Sequence, residues 1–549
     1  MTTMQKNAGH PSWRHLLGAT LCLTGGVSSA LAQQTVTPDA LQDNAQRVER
    51  YYQQPSTAPS KASSPLQQPA ENPGKASVDM GHARFVLRKV EFTHSALLPQ
   101  GELDAAVQPY VGHEIDQDGI ARLLDGVNAL YVKRKITTAR AVIRGGVIQD
   151  GVLRVDLVEG RLGQLKIKGA RHIHDAFIQH RIHEKPGEVV DPESLRDDLV
   201  YLNRTTDLQV SALLQPGQAF GQTDVLLDVA EPDRHSVDLF VDDNGVESTG
   251  RLREGVDANL YGLLGVDDKL SADIAHSSGA NDGTVSYSIP LTPENGRLSV
   301  SFTRSQISVI DGAFRNIDIT GHSSYGSVGY TQPFIASMHW LFSGIAQYAI
   351  EDSETGIVGQ TIADTRTQQA TLGASLQYQR DGETWGVTQL VSHVHSDEPM
   401  LGKDNFVLAP GNAFYIRRLW SDKWALRADL GWQLSSGKNI PSANLFQIGG
   451  LGSVRGYDRG VLSGPRGYYA DLELHRNFGE KLDVFGFVDH GTIYSFYPTS
   501  KSITGFGPGV LYRYRSWLTI SADVAKPLET VVPDQSGYRI DARVTVHWL

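Results

Sequence analysis

The 549-residue chain carries 50 Lys+Arg against 61 Asp+Glu, a formal net charge of −11, so it lacks the basic footprint of a nucleic-acid binder. Its mean hydropathy is −0.26 and no apolar run approaches ~20 residues, which excludes a membrane-spanning helix but not a transmembrane barrel. The single cysteine, Cys22, lies near the N-terminus, so the rest of the chain has no thiol for a disulfide, a zinc site or a nucleophile.

Lys6, Arg14 and His15 precede the apolar stretch Leu16 to Leu23, and Ala30-Leu31-Ala32 offers a small-x-small cleavage site before Gln33. This pattern predicts a secretory signal over 1–32. Leu21 stands before Cys22 where a lipoprotein signal carries a small residue, so no lipid anchor is read. Thr37-Pro38-Asp39 reads as an N-cap, a proline at the first helical position and an early acid. The helix assigned to 33–54 has a sparse apolar stripe at Leu41, Ala45, Val48 and Tyr52. It is too polar for a core and suits a wet environment. Residues 55–82 are rich in Pro, Ser, Ala and Lys without periodicity, and read as a linker that does not fold.

Two α/β units follow, over 83–162 and 163–233. The first opens with the apolar strand Phe85 to Phe92. Helical patterns follow near Glu102–Val107 and Ile120–Tyr131, the second with Ile120, Leu123, Leu124, Val127 and Leu130 at helical spacing, and strands return at Ala139–Arg144 and Leu153–Val158. The second has a strand at Leu165–Ile167, helices around Ala176–His183 and Pro192–Thr205, and strands at Val210–Leu214 and Thr223–Val229. The shared β-α-α-β-β order reads as a tandem repeat.

After Pro232-Asp233 helical periodicity gives way to alternation. Trp424, Leu426, Ala428, Leu430, Trp432 and Leu434 alternate with polar residues. So do Ala370, Leu372, Ala374, Leu376 and Tyr378, and then Tyr538, Ile540, Ala542, Val544, Val546 and Trp548. Apolar residues outward, polar residues inward and aromatics at the ends form the pattern of a transmembrane barrel. At about ten residues per strand, with a similar allowance for turns, 234–549 holds about sixteen antiparallel strands.

Within this region Phe446 to Tyr457 places Arg455 among glycines, in Val454-Arg455-Gly456-Tyr457. A guanidinium shielded from water needs an anionic partner. About thirty residues on, Val484 to Gly491 carries one carboxylate, Asp489, in an apolar strand on the parity of Phe485 and Phe487. The expected arrangement is a loop folded into the lumen, with Arg455 paired to Asp489 on the inner wall.

These two segments resemble the loop and strand signatures of two-partner secretion transporters, the outer-membrane B components of the hemolysin secretion/activation family. Tyr131 to Gly160, ending in Val158-Glu159-Gly160, resembles the family's first periplasmic polypeptide-transport-associated (POTRA) domain. Leu213 to Gly217 and Gly221 to Val225 resemble its second. Gly464-Pro465-Arg466-Gly467 departs from the pattern, standing where Gly-Asp is expected. The tail resembles a barrel insertion signal carried by Tyr538, Trp548 and Leu549, although family members usually end on an aromatic.

The resemblance implies an outer-membrane pore of a Gram-negative bacterium, with its N-terminal domains in the periplasm and the 33–54 helix as a plug. It implies a cognate exoprotein (an adhesin, hemolysin or contact-dependent toxin) recognised through its N-terminal secretion domain. Outer-membrane lipid and the barrel-assembly machinery are the other expected partners, and a monomer is expected. The rival readings are a barrel-assembly insertase of the same superfamily and a diffusion porin. No catalytic constellation, cofactor motif or metal motif is found. Gly321-His322-Ser323-Ser324-Tyr325 lacks the closing glycine of a nucleophile elbow. His172/His174 and His393/His395 read as same-face strand pairs, solvated or lumenal.

Overall fold

The computed structural model describes residues 65–67, 84–136, 138–143, 150–312, 315–399, 402–421, 423–437, 440–494, 500–533 and 535–548. The expected signal, the 33–54 helix and Leu549 lie outside these residues, as does the linker apart from Pro65, Leu66 and Gln67. That short piece is a strand, β1 (Leu66–Gln67), rather than unfolded linker.

The first α/β unit contains β2 (Phe85–Val86), β3 (Lys89–Phe92), α1 (Gln100–Val107), β4 (Glu114–Ile115), α2 (Gln117–Lys133), β5 (Ala139–Val142) and β6 (Val152–Glu159). The expected single strand over 85–92 is broken at Leu87, which turns fully into the core, so β2 pairs with β4 and β3 with β6. Asp116 caps α2 by accepting the Gly119 N–H. The α2 face of Ile120, Leu123, Leu124, Val127 and Tyr131 is buried against the sheet. Glu159 gives the Val158-Glu159-Gly160 ending its physical role. Its carboxylate accepts the backbone N–H groups of Ala96 and Leu97 and the Tyr131 hydroxyl. Burial, and next the Glu159 charge, push the Tyr131 phenol pKa up.

The second unit contains β7 (Arg161–Lys168), α3 (Asp175–Gln179), α4 (Pro192–Thr205), β8 (Gln209–Pro216) and β9 (Gln222–Ala230). Its sheet order is β1-β8-β9-β7, so β1 covers the outer edge of β8 in parallel. Glu231 repeats the device of Glu159: it accepts N–H groups from Arg171, His172 and Ile173. His172 and His174 therefore lie in the loop between β7 and α3, not on a strand; the side chain of Glu231 has organised that turn.

The barrel begins with β10 (His235–Asp242), β11 (Arg253–Tyr261), β12 (Lys269–Ser277), β13 (Ala280–Pro290) and β14 (Arg297–Ser308). Five long strands follow: β15 (Ile319–Ala336), β16 (Trp340–Ile357), β17 (Gln360–Arg380), β18 (Glu383–Glu398) and β19 (Gly402–Leu419). After β20 (Trp424–Ser435) come two short strands, β21 (Phe446–Ile448) and β22 (Leu462–Gly464), paired with each other outside the barrel sheet. The wall resumes with β23 (Arg466–Phe478), β24 (Leu482–Tyr494), β25 (Lys501–Tyr514), β26 (Leu518–Pro527) and β27 (Arg539–Trp548).

Sixteen antiparallel strands close through β10 and β27, in a register running from Val237↔Trp548 to Asp242↔Arg543. Leu372, Leu434, Tyr538 and Trp548 are exposed on the outer wall, while Arg543 and Asp489 are buried on the inner one. Strands β15–β19 have 16 to 21 residues, more than the roughly ten that a tilted strand needs to cross the membrane.

The second α/β unit is seated on the barrel turns. Arg181 donates through Nε to Asn295 Oδ1 at 2.6 Å and through Nη2 to the Thr292 carbonyl at 2.9 Å. Asn295 in turn donates to Thr205 Oγ1. These turns mark the end of the wall that carries the α/β units.

Candidate functional site: the lumenal loop and its wall

Residues 436–465 connect β20 to β23, and the β21–β22 hairpin lies in this connection. Ser453 Oγ accepts the Gly449 N–H at 2.8 Å, and the Val454 carbonyl accepts the Gly450 N–H at 2.9 Å. These bonds close a tight turn that aims Arg455 at the wall. Gly456 has φ 92°, a left-handed backbone that leaves room beside Pro527 and Ala525. Gly505 on β25 is required by contact: a Cβ there would collide with the Arg455 carbonyl oxygen. Phe446, Ile448, Val454, Tyr457, Val461 and Leu462 form an apolar underside that packs on Ile493 and Ile503 of the wall.

Arg455 is 1 % exposed and Asp489 0 %. The guanidinium forks onto Asp489, with Nε to Oδ2 and Nη2 to Oδ1 both at 2.6 Å. The Arg455 backbone N–H also donates to Asp489 Oδ2, at 3.0 Å. The expected pair is therefore present, and it has a further partner that sequence reasoning missed. Arg455 Nη1 donates to Glu473 Oε1 at 2.6 Å. The guanidinium carbon lies 3.6 Å from the Phe487 ring centroid, a cation–π contact in a desolvated site.

Glu473 links onward to His475 Nε2 at 3.0 Å, and His475 Nδ1 reaches Asp483 Oδ2 at 3.0 Å. Arg427 Nε lies 2.7 Å from Asp429 Oδ2 and 3.8 Å from Glu473 Oε2. The signal for Glu473 and His475 was their parity: they alternate with the lipid-facing Leu472 and Leu474. Asp429, Asp471 and Asp489 also stand in register across β20, β23 and β24. Arg455 thus enters a strongly acidic wall.

Tyr457, also 1 % exposed, fixes the far side of the motif. Its hydroxyl lies 2.9 Å from the Thr504 carbonyl and 2.8 Å from Glu529 Oε2, and it accepts the Glu529 N–H. The next two residues reach the closure of the barrel. Asp458 accepts from Arg539 Nη1 at the start of β27, and Arg459 Nη1 donates to the Asn244 carbonyl just beyond β10. Trp548 and Tyr538, the described residues of the expected insertion signal, are exposed on the outer wall. His393 is exposed on β18, and His395 bonds Asn405.

The loop fills part of the pore and leaves a polar cavity of about 830 Å³, lined by Asp238, Asp257, Glu473, His475, Arg513 and Arg543 among others. Among the described residues no group of three His, Cys, Asp or Glu is arranged to hold a metal ion. A charged clamp on an internal loop positions a segment of chain.

A closed barrel with a loop clamped to its inner wall and α/β units at one mouth is the architecture expected of an outer-membrane transporter. Residues 221–511 match the haemolysin secretion/activation protein ShlB/FhaC/HecB family, and residues 85–160 match its ShlB-type POTRA domain. The chain belongs to that secretion/activation family and resides in the outer membrane, with its POTRA region in the periplasm. It is 21% identical over 498 residues to the heme/hemopexin transporter protein HuxB of Haemophilus influenzae, across 84% of this chain and 87% of the relative. It is 24% identical over 510 residues to the outer membrane transporter CdiB of Dickeya dadantii, across 83% and 86%. The solved structure of CdiB from Escherichia coli shares the fold, with a TM-score of 0.69 at 17% identity over 93% of this chain and 98% of that one.

Proposed function

We propose that this transporter captures one cognate exoprotein in the periplasm, through the partner's N-terminal secretion domain, and passes it unfolded to the cell surface. The observation that carries the reading is the buried Arg455–Asp489–Glu473 clamp, which holds a lid inside a pore. A diffusion porin for small solutes needs neither this clamp nor two periplasmic domains. In this reading 1–32 is the export signal, 33–54 plugs the pore, 55–82 tethers the plug, and 83–162 and 163–233 receive the client ahead of the barrel at 234–549. The chain works as a monomer after the barrel-assembly machinery inserts it, guided by Tyr538, Trp548 and Leu549.

An extended client adds a strand to a free sheet edge. Leu66–Gln67 occupies the β8 edge at Ala212 and Leu213, so a client strand must displace the tether to pair there. The test is secretion of the exoprotein encoded beside this chain, measured in the culture medium. Efflux that depends on this transporter supports the reading. Unchanged efflux when the transporter is deleted overturns it. Deleting 33–54 should raise the open fraction in planar bilayers; identical traces would remove the plug assignment alone.

A further inference from the structure

The lipid-facing side of β15–β18 is not smooth. The register sets Tyr330, Ala346, Leu372 and Val391 side by side, and one row further out Val328, Tyr348, Ala370 and His393. The two alanines are flanked by bulky side chains. The result is an apolar groove of about 720 Å³ on the outer wall.

Its height can be read from the strands. Trp340, Tyr378 and Trp385 cluster at the periplasmic end, with ring centroids 4.7 to 5.7 Å apart, and mark that interface. Ala370 lies eight residues further along β17, which at ~3.3 Å per residue and a tilt of about 40° is roughly 20 Å up the wall. The apolar band of such barrels is ~25 Å tall, so the groove sits in the outer half of the bilayer.

The chemistry changes in order beyond the groove. The next row is Gln368, His395 and Asn405, with the Tyr348 hydroxyl donating to Gln368 Oε1 at 3.2 Å. The row after it is Asp352, Arg366, Asp397 and Lys403, alternating in sign across four strands. Arg366 lies 3.6 Å from Asp352, and Lys403 2.9 Å from Asp397. All four charged side chains are well exposed, so each can exchange its neighbour for a ligand at little cost.

We propose that this surface seats one phosphorylated, acylated glycolipid of the outer leaflet. An acyl chain fills the groove over Ala346 and Ala370, and headgroup phosphates meet Arg366 and Lys403. Asp352 and Asp397 hold divalent cations that bridge neighbouring phosphates. A purely cationic row would suit any anionic lipid. Alternating signs complement a layer of phosphates interleaved with divalent cations.

The test is a lipid titration of the full-length, delipidated protein in detergent, read by native mass spectrometry. The probes are lipid A, dephosphorylated lipid A and phosphatidylglycerol, each with magnesium or with a chelator. Lipid A with magnesium should bind at least about tenfold tighter than the other probes, and the chelator should erase the preference; tenfold corresponds to about 1.4 kcal/mol. Ala370→Trp fills the groove and should weaken lipid A binding about tenfold, the contribution of roughly two buried methylenes. Arg366→Ala with Lys403→Ala should abolish the preference for phosphate while the barrel stays heat-modifiable. Equal binding of the three lipids, or an unchanged preference in the double variant, overturns the proposal. Should Ala370→Trp fail to insert, the double variant decides alone.

Discussion

The two sides of the barrel lumen solve the same problem differently. Along β13–β18 the inner wall is laid with hydroxyls that satisfy one another: Thr284 with Thr303 at 3.0 Å, Ser301 with Ser327 at 2.8 Å, Thr371 with Ser392 at 2.8 Å. Along β20 and β23–β27 it carries Arg427, Asp429, Asp471, Glu473, His475, Asp489, Asp523, Asp541 and Arg543, most of them buried. A hydroxyl both donates and accepts, so a pair closes on itself. A carboxylate only accepts, and it is costly to bury without a cation. The hydroxyl wall needs nothing from the loop. The acidic wall does, and Arg455 supplies it, which explains why the lid docks on that side.

The largest expected effect breaks the acidic side. Arg455→Ala strips the cation from Asp489 and Glu473, and removing one member of a buried ion pair costs about 3–5 kcal/mol. Secretion should collapse while the barrel remains inserted and heat-modifiable, since the strand ladder does not depend on one loop. Asp489→Ala should match it, and the double variant should be little worse than either single change. Losses that multiply independently would show that the two residues do not act as a pair. Arg455→Lys should recover little, because lysine has no planar fork.

Glu473→Gln is the next step down. It keeps the shape but removes the charge on which Arg455, His475 and Arg427 converge, at a cost of about 1–3 kcal/mol. Noisier single-channel current with secretion partly retained is the expected readout; a quiet, unaltered trace would assign the clamp to Asp489 alone. On the opposite wall, Ser301→Ala with Ser327→Ala removes both partners of one hydroxyl pair and should cost about 1 kcal/mol or less. Secretion should not change. A defect as deep as that of Arg455→Ala would erase the distinction between the walls.

The smallest effect lies in the second periplasmic unit, as a control outside the lumen. Burial, reinforced by repulsion from Asp191, Asp198 and Glu188, pushes the Glu184 carboxyl up from 4.5 to about 7. The folded unit then holds this proton more tightly than the unfolded chain. The associated stability is complete below pH 4.5 and is lost as the pH rises to about 7. Amide exchange around 184–191 should accelerate across that window in the wild type, and Glu184→Gln should flatten the dependence. Secretion should be indifferent to the change.

The alternation after Pro232 exposed the barrel because a strand's two faces see different solvents, and parity is a local property. The same parity put Asp489 on the inner wall beside Phe485 and Phe487. Glu473 was equally placed between Leu472 and Leu474, yet nothing local says which of many lumenal charges a distant loop will reach. The break at Leu87 follows from core packing that strand propensity does not report. Leu66–Gln67 gave no signal either: two residues have no periodicity, and their strand exists only because β8 offers an edge. His172 and His174 alternate like strand residues, but Glu231, some sixty positions away, gathers the N–H groups of that segment into a turn.

Asp458 and Arg459 are neighbours in the chain, and they hold opposite sides of the barrel closure. The first and last strands meet over only six residue pairs, from Val237 to Asp242. The lid is therefore also a mechanical part. A pull on β27 is shared between the strand ladder and the loop, so the closure bears load in parallel rather than alone. In a single-molecule experiment drawing the chain out from its C-terminal end, the first rupture should come at lower force in Asp458→Ala than in the wild type.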